Sequence, residues 1–107
     1  MTGNVLAITT TATEAEGKKI ARELVESQLA ACVNVIPGVR SIYRWEGRVE
    51  EAEEFLLVIK TTRPLTEEVR QAIAEMHSYE LPEFVVLPIE AGSPEYLRWI
   101  TDSVLKV

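Results

Sequence analysis

Within seven residues, His77-Ser78-Tyr79-Glu80-Leu81-Pro82-Glu83, an imidazole, a phenol and two carboxylates crowd around a proline, the richest group of chemically capable side chains in the sequence. Imidazole with carboxylate suits Cu(II), Zn or Ni. Two donor types from one chain leave such a site open and of modest affinity unless another subunit adds a ligand. His77 is the only histidine and stands at the end of a helical pattern, so it has a second reading as a cap on backbone carbonyls. Cys32, the only cysteine, opens an apolar strand; it is either a small core residue or a soft-metal donor needing His77 or a symmetry-related copy beside it. His77, Glu80, Glu83 and Cys32 are therefore the candidate metal donors.

A second acidic group, Glu46, Glu50, Glu51, Glu53 and Glu54 with Arg48 among them, lacks the spacing of a calcium loop. It reads as a solvated hairpin turn, with a hard-cation site as the alternative. No catalytic set is legible: the glycines at 3, 17, 38, 47 and 92 fit no phosphate or dinucleotide loop, and no nucleophile-elbow or zinc-protease motif occurs. The expectation is a protein that is not an enzyme.

The 107 residues allow one domain, 1–107, and 47% hydrophobic content supports a real core. A net charge of -6 opposes a phosphate backbone, so no nucleic acid is expected as partner. No apolar run approaches the ~20 residues of a membrane span, and the first residues carry no basic leader pattern. With a lone thiol that cannot close an internal disulfide, this points to a cytoplasmic protein with no membrane partner.

The elements that must position these groups follow from periodicity. Asn4 to Ile8 is a strand, and Thr9 to Thr13 a turn. Thr13-Glu14-Ala15-Glu16 is a capping box for a helix to about Gln28, with Ile20, Ala21, Leu24 and Val25 as its apolar face. Phe55 to Ile59, a continuous apolar run, is a strand covered at least in part on both faces. Behind Pro64, the spacing of Leu65, Val69, Ala72, Ile73 and Met76 predicts a second helix. Phe84 to Leu87 is a strand that Pro88 marks as an edge or an end, and Ser93-Pro94 caps a third helix with Tyr96, Leu97, Ile100 and Val104 on its apolar side.

Between the first helix and Phe55 lies a ribbon too long for one strand of a small sheet. Val33, Val35, Val39, Tyr43 and Trp45 share odd positions and could line one face, while Pro37-Gly38 predicts a bend or bulge. The outer piece overhangs its sheet, so Tyr43 and Trp45 are expected against another subunit. Trp99 is expected to pack. The order strand, helix, strand, strand, helix, strand with a terminal helix is an α+β, ferredoxin-like βαββαβ arrangement with an extended hairpin arm, whose second sheet face needs a cover of its own.

Leu29-Ala30-Ala31-Cys32-Val33-Asn34, Ser41-Ile42-Tyr43-Arg44-Trp45-Glu46-Gly47, Ile59-Lys60-Thr61-Thr62, the His77–Glu83 segment and Tyr96-Leu97-Arg98-Trp99-Ile100 together resemble the signature of the CutA family, the divalent-cation tolerance proteins. The resemblance covers nearly the whole chain in order. It implies a ferredoxin-like subunit, a homotrimer and a link to copper and other divalent metals. Copper-binding members of that family use a cysteine late in the first strand and a His-His pair, positions held here by Thr9 and Met76-His77. The alternative class is a PII-like regulatory trimer holding a small anion or metabolite between subunits, with Lys60, Arg44 or Arg48 as donors.

Overall fold

The computed structural model describes residues 2–106 and orders them as β1 (Asn4–Thr11), α1 (Glu14–Glu26), β2 (Cys32–Trp45), β3 (Arg48–Thr62), a 3-10 turn (Arg63–Leu65), α2 (Thr66–Met76), β4 (Val85–Pro88) and α3 (Pro94–Ser103). All strands pair antiparallel in one sheet of order β2-β3-β1-β4, the ferredoxin-like arrangement expected from the element order. One sheet face carries α1 and α2 over a sealed core of Ala7, Ile20, Leu24, Leu57, Ile59, Val69 and Ile73.

Several boundaries differ from the periodic reading, each for a physical reason. β1 runs past Ile8 to Thr11, because Thr9, Thr10 and Thr11 pair with Leu57, Leu56 and Phe55 and threonine suits a pleated ladder. α1 stops at Glu26, where Gln28 takes a left-handed φ of 62° and the amides of Leu29 and Ala30 turn back to the Leu24 carbonyl. Pro64 sits in the 3-10 turn rather than in α2, and β4 begins at Val85, one residue after Phe84. Trp99 is not a core residue but 46% exposed, since α3 turns Ile100 inward, the chain just after it buries Val104, and Trp99 is left tilted against Tyr96 at 5.4 Å.

The acidic run is not a turn. β3 starts at Arg48, so Glu50, Glu51, Glu53 and Glu54 lie in the strand and only Glu46-Gly47 reverse the chain. Both take positive φ, 51° and 79°, as a two-residue hairpin turn with the twist of its strands requires. β1 pairing ends at Thr11 with Phe55, so the stretch Arg48–Glu54 pairs only with β2. Seven residues at ~3.3 Å each project roughly 23 Å beyond the sheet, which agrees with a longest dimension of 44 Å against 25 and 22 Å.

Pro37-Gly38 forms the expected bulge: Ile36 opposes Leu56 and Val39 opposes Glu54, so β2 carries one extra residue, with Gly38 at φ 78°. The consequence corrects the odd-position reading. Opposed residues share a sheet face, so Val33 and Val35 stand with Ile59 and Leu57 beneath the helices, while Val39, Ser41, Tyr43 and Trp45 pass to the opposite face.

Gly17 is where α1 touches the sheet most closely. A Cβ there would stand 3.0 Å from Thr11 Oγ1 and 3.2 Å from Leu57 Cδ1, and the Thr11 hydroxyl is held by its bond to the Thr13 carbonyl. Overpacking of about 1–3 kcal/mol outweighs the ~1 kcal/mol of helix propensity that alanine brings. Gly17→Ala is therefore expected to lose about 1 kcal/mol of stability in urea unfolding, against the gain seen at an open helical glycine.

Candidate functional site

α2 ends at Met76, and the chain leaves it extended, with His77 at φ -79° and ψ 141°. That turn carries the His77 side chain away from the helix carbonyls it could have capped and buries it completely. Nε2 lies 2.6 Å from the Thr10 carbonyl oxygen, which can only accept, so Nε2 bears the proton. Nδ1 accepts the Tyr79 backbone N–H at 3.0 Å. The network thus assigns the neutral Nε2–H tautomer and engages both ring nitrogens.

Glu16 holds the same turn from α1. Thr13 Oγ1 accepts the Glu16 N–H at 3.1 Å, the first half of the capping box. The Glu16 carboxylate, however, does not reach back to Thr13; it accepts the Ser78 backbone N–H at 2.7 Å and the Ser78 hydroxyl at 3.1 Å. The first turn of α1 and the segment after α2 are therefore joined by charge-assisted bonds.

From this anchor Tyr79 crosses the end of β1. Its ring leans on His77 at 4.7 Å, and its hydroxyl donates to Glu54 Oε2 at 2.8 Å. Burial chiefly, and then the bond to Glu54 and the negative charge of that carboxylate, push the Tyr79 phenol well above its ordinary range. Between this loop and the arm lies a groove of ≈ 350 Å³, walled by Tyr43, Trp45 and Ser41 on one side and by Tyr79, Glu80, Leu81 and Glu83 on the other, with Thr10 and Glu54 at its base. Glu54 is only 6% exposed, whereas Glu80 and Glu83 are open to solvent.

The candidate residues are distributed unequally about this groove. Glu80, Glu83, Tyr43 and Trp45 line it, and His77 lies behind it as the residue that fixes Tyr79. Cys32 stands elsewhere, half-buried opposite Lys60. His77 binds beside Thr10, whose own β3 partner is Leu56, four residues along from Lys60 and thus roughly 13 Å away. Among the described residues no group of three or more His, Cys, Asp or Glu side chains could hold a metal ion. Thr9 is buried on the helix face with a hydroxyl that finds no partner among the described residues, and Met76 packs on the core. Lys60 donates to the Tyr96 hydroxyl at 3.2 Å and sits over its ring at 5.5 Å. Arg44 pairs with Val49 near the arm tip, eleven β3 residues from Lys60 or roughly 36 Å, so the two cations do not converge within one subunit.

Sequence reasoning does not single Glu54 out of the acidic run, takes Glu16 only as part of a helix cap, and gives Thr10 no role beyond a turn. Glu54 is hidden in the acidic run, and the one available signal is its position as the last acid before Phe55-Leu56-Leu57.

Tyr79→Phe leaves Glu54 Oε2 without its donor, at a cost of about 1–3 kcal/mol. A raised phenol pKa in the fold contributes stability that is complete below the unfolded value of ~10 and is lost as pH rises from there toward the folded value. The difference in unfolding free energy between wild type and Tyr79→Phe should therefore stay constant from neutral pH to about 10 and shrink above it. Urea titrations across that interval measure it.

Known proteins answer to the same sequence and shape. The family described as CutA1 divalent ion tolerance protein matches residues 5–103. The divalent-cation tolerance protein CutA of Thermus thermophilus is 43% identical over 98 residues, covering 92% of this chain and 95% of that protein. The chloroplastic protein CutA of Arabidopsis thaliana is 46% identical over 87 residues, and there the chain spans only 48% of the relative's length. The solved CutA1 of Oryza sativa superposes with a TM-score of 0.94 at 35% identity, covering 100% of both chains. With the family matched across the sheet, the arm and all the helices, and relatives above 40% identity over most of the sequence, the chain belongs to the CutA1 divalent ion tolerance family.

Proposed function

We propose that this protein is a non-enzymatic, cytosolic divalent-cation tolerance protein that works as a homotrimer and holds copper or another divalent ion weakly. The observation that carries the assembly is the sheet face away from α1 and α2. Ile36, Val85 and Leu87 there, continued by Tyr43 and Trp45 on the arm, are each between 41% and 46% exposed. Leu6, Ile8, Leu56 and Val58 between them are half-covered, which makes one apolar surface rather than scattered residues. α3 reaches only one end of it, where the Asn4 side-chain amide donates to the Leu97 carbonyl at 2.9 Å. A second and third copy burying the remainder would supply the missing layer.

Metal enters through ligand arithmetic. Both nitrogens of His77 are engaged and Cys32 stands apart, so one subunit offers chiefly the solvent-facing carboxylates Glu80 and Glu83. Two carboxylates make an incomplete shell, which supports low affinity completed by water or by a neighbouring chain. A cytosolic location agrees with the free Cys32 thiol.

Sedimentation equilibrium should return a mass near three chains, and Trp45→Ala should weaken assembly by about 2 kcal/mol or more while the isolated subunit stays folded by circular dichroism. A mass near one chain, or a Trp45→Ala trimer of unchanged stability, excludes the arm as the contact. Calorimetric titration of copper should give a dissociation constant weaker than about 1 μM. A Glu80→Gln, Glu83→Gln double variant should weaken it severalfold, and Cys32→Ser should not. Equal binding by the double variant moves the ion away from the groove.

A further inference from the structure

We propose that in the assembled protein the buried Glu54 carboxylate of one copy pairs with the Lys60 ammonium of the next, so that the base of the groove is completed by a second chain. The inference rests on the trimer reading and adds to it the polar contact that sets how the copies join. Glu54 is the starting point. It is only 6% exposed, yet among the described residues its side chain receives a single hydrogen bond, from the Tyr79 hydroxyl to Oε2, and takes part in no ion pair. A carboxylate taken this far out of water is costly unless a cation meets it. No Lys or Arg lines the groove around it.

The strand register limits where that cation comes from. The extra residue of the bulge lies in β2, so β3 keeps its alternation, and Arg48, Glu50, Glu54 and Lys60 all stand on the sheet face away from α1 and α2. Lys60 is half-covered there; among the described residues it donates to the Tyr96 hydroxyl, lies over that ring, and meets no carboxylate. Within one chain Glu54 and Lys60 are six residues apart along β3, roughly 20 Å, further than their side chains reach together. Leu56 and Val58 lie between them and belong to the apolar surface that assembly covers. The strip is thus acidic at one end, apolar in the middle and basic at the other. A neighbouring copy displaced along it sets its basic end against the acidic end of the first, a head-to-tail contact of the kind that closes into a ring. Covering the apolar middle without pairing the ends would strand a desolvated ammonium and a desolvated carboxylate at every contact. Arg48, the other cation of this face, is exposed at the arm tip and keeps its water, and Arg40 is held by Glu51 at 2.8 Å on the opposite face. The apolar strip supplies the attraction, and the charge pair excludes other registers.

Sedimentation equilibrium of the full chain over a dilution series, applied to the wild type, Glu54→Gln, Lys60→Gln and the double variant, reads the pairing as a coupling. Glu54→Gln keeps an acceptor for Tyr79 and Lys60→Gln keeps a donor for Tyr96, and circular dichroism of the dilute samples confirms that the subunits fold. Each single variant should raise the concentration of half-dissociation by about tenfold or more, and the double variant should raise it no further than the worse single one. Additive losses, or coupling of Glu54→Gln to Arg48→Gln in place of Lys60→Gln, overturn the pairing and leave the trimer standing. A wild-type mass near one chain overturns both. Should a variant fail to fold, the wild type alone decides: zero-length carbodiimide coupling of protein assembled from isotope-labelled and unlabelled chains should yield a peptide joining Glu54 of one label to Lys60 of the other. Absence of that peptide, or unmixed label in it, overturns the pairing between copies.

Discussion

A single extra residue in β2 governs what the rest of this molecule can do. In an antiparallel pair every residue is committed to one face, and an insertion of one exchanges the faces for everything beyond it. Pro37, which cannot donate to the ladder, and Gly38, which accepts a φ of 78° with nothing within 4 Å to oppose it, absorb that insertion. Before the bulge Val33 and Val35 complete the core under α1, as the closeness of Val35 to Gly17 records. After it, Tyr43 and Trp45 belong to the opposite face and become walls of the groove. Without the bulge the same odd positions would continue the helix side into empty space beyond the sheet, and the groove would lose its aromatic wall.

The second wall depends on a chain of polar contacts that starts inside the subunit. His77 is neutral and fully engaged, so the segment after α2 is pinned to the backbone of β1 at Thr10 and, through Glu16, to the first turn of α1. Removing a partner of the buried His77 ring strands a part-buried donor or acceptor, which costs more than the bond contributes when made, whereas the Glu16–Ser78 bonds are open to solvent and cost less to lose. Tyr79 inherits its position from this anchor and passes it to Glu54. The imidazole thus acts structurally two steps away from the groove, and the chemistry facing the groove is carboxylate and aromatic.

Much of the fold was legible because it rests on periodicity: the spacing of Leu65, Val69 and Ile73, the Thr13 cap and the Pro37-Gly38 irregularity all appear in the structure in the roles their chemistry suggests. What escaped depends on pairing between distant segments. Parity in β2 reads as one continuous face until the register with β3 is known, and no local property of Glu54 separates it from Glu50, Glu51 and Glu53. Likewise the sequence around Glu16 describes a complete capping box, and only the nearness of Ser78, 62 residues away, draws its carboxylate elsewhere. The candidate site was half visible for the same reason: its loop is contiguous in sequence, while its base and far wall come from β1, β2 and β3.

The arm must reconcile two opposed requirements. β2 is an edge strand carrying exposed Ile42, and exposed Val49 lies beside it at the start of β3, a combination that invites indiscriminate pairing. Arg40, Arg44, Glu51 and Glu53 occupy the face turned away from the groove and keep it hydrated, Arg40 and Glu51 as a solvent-exposed pair that adds little stability. With a net charge of -6, copies of the chain repel at long range, so association through the opposite face has to come from short-range apolar contact. Salt at physiological strength shortens that repulsion to a Debye length of ~8 Å. The same screening weakens attraction between the groove carboxylates and a cation. Association through the apolar face and binding of a cation by the groove carboxylates would therefore respond to ionic strength in opposite directions, and the apolar side draws on the two aromatic residues that the Pro37-Gly38 bulge brings to one face.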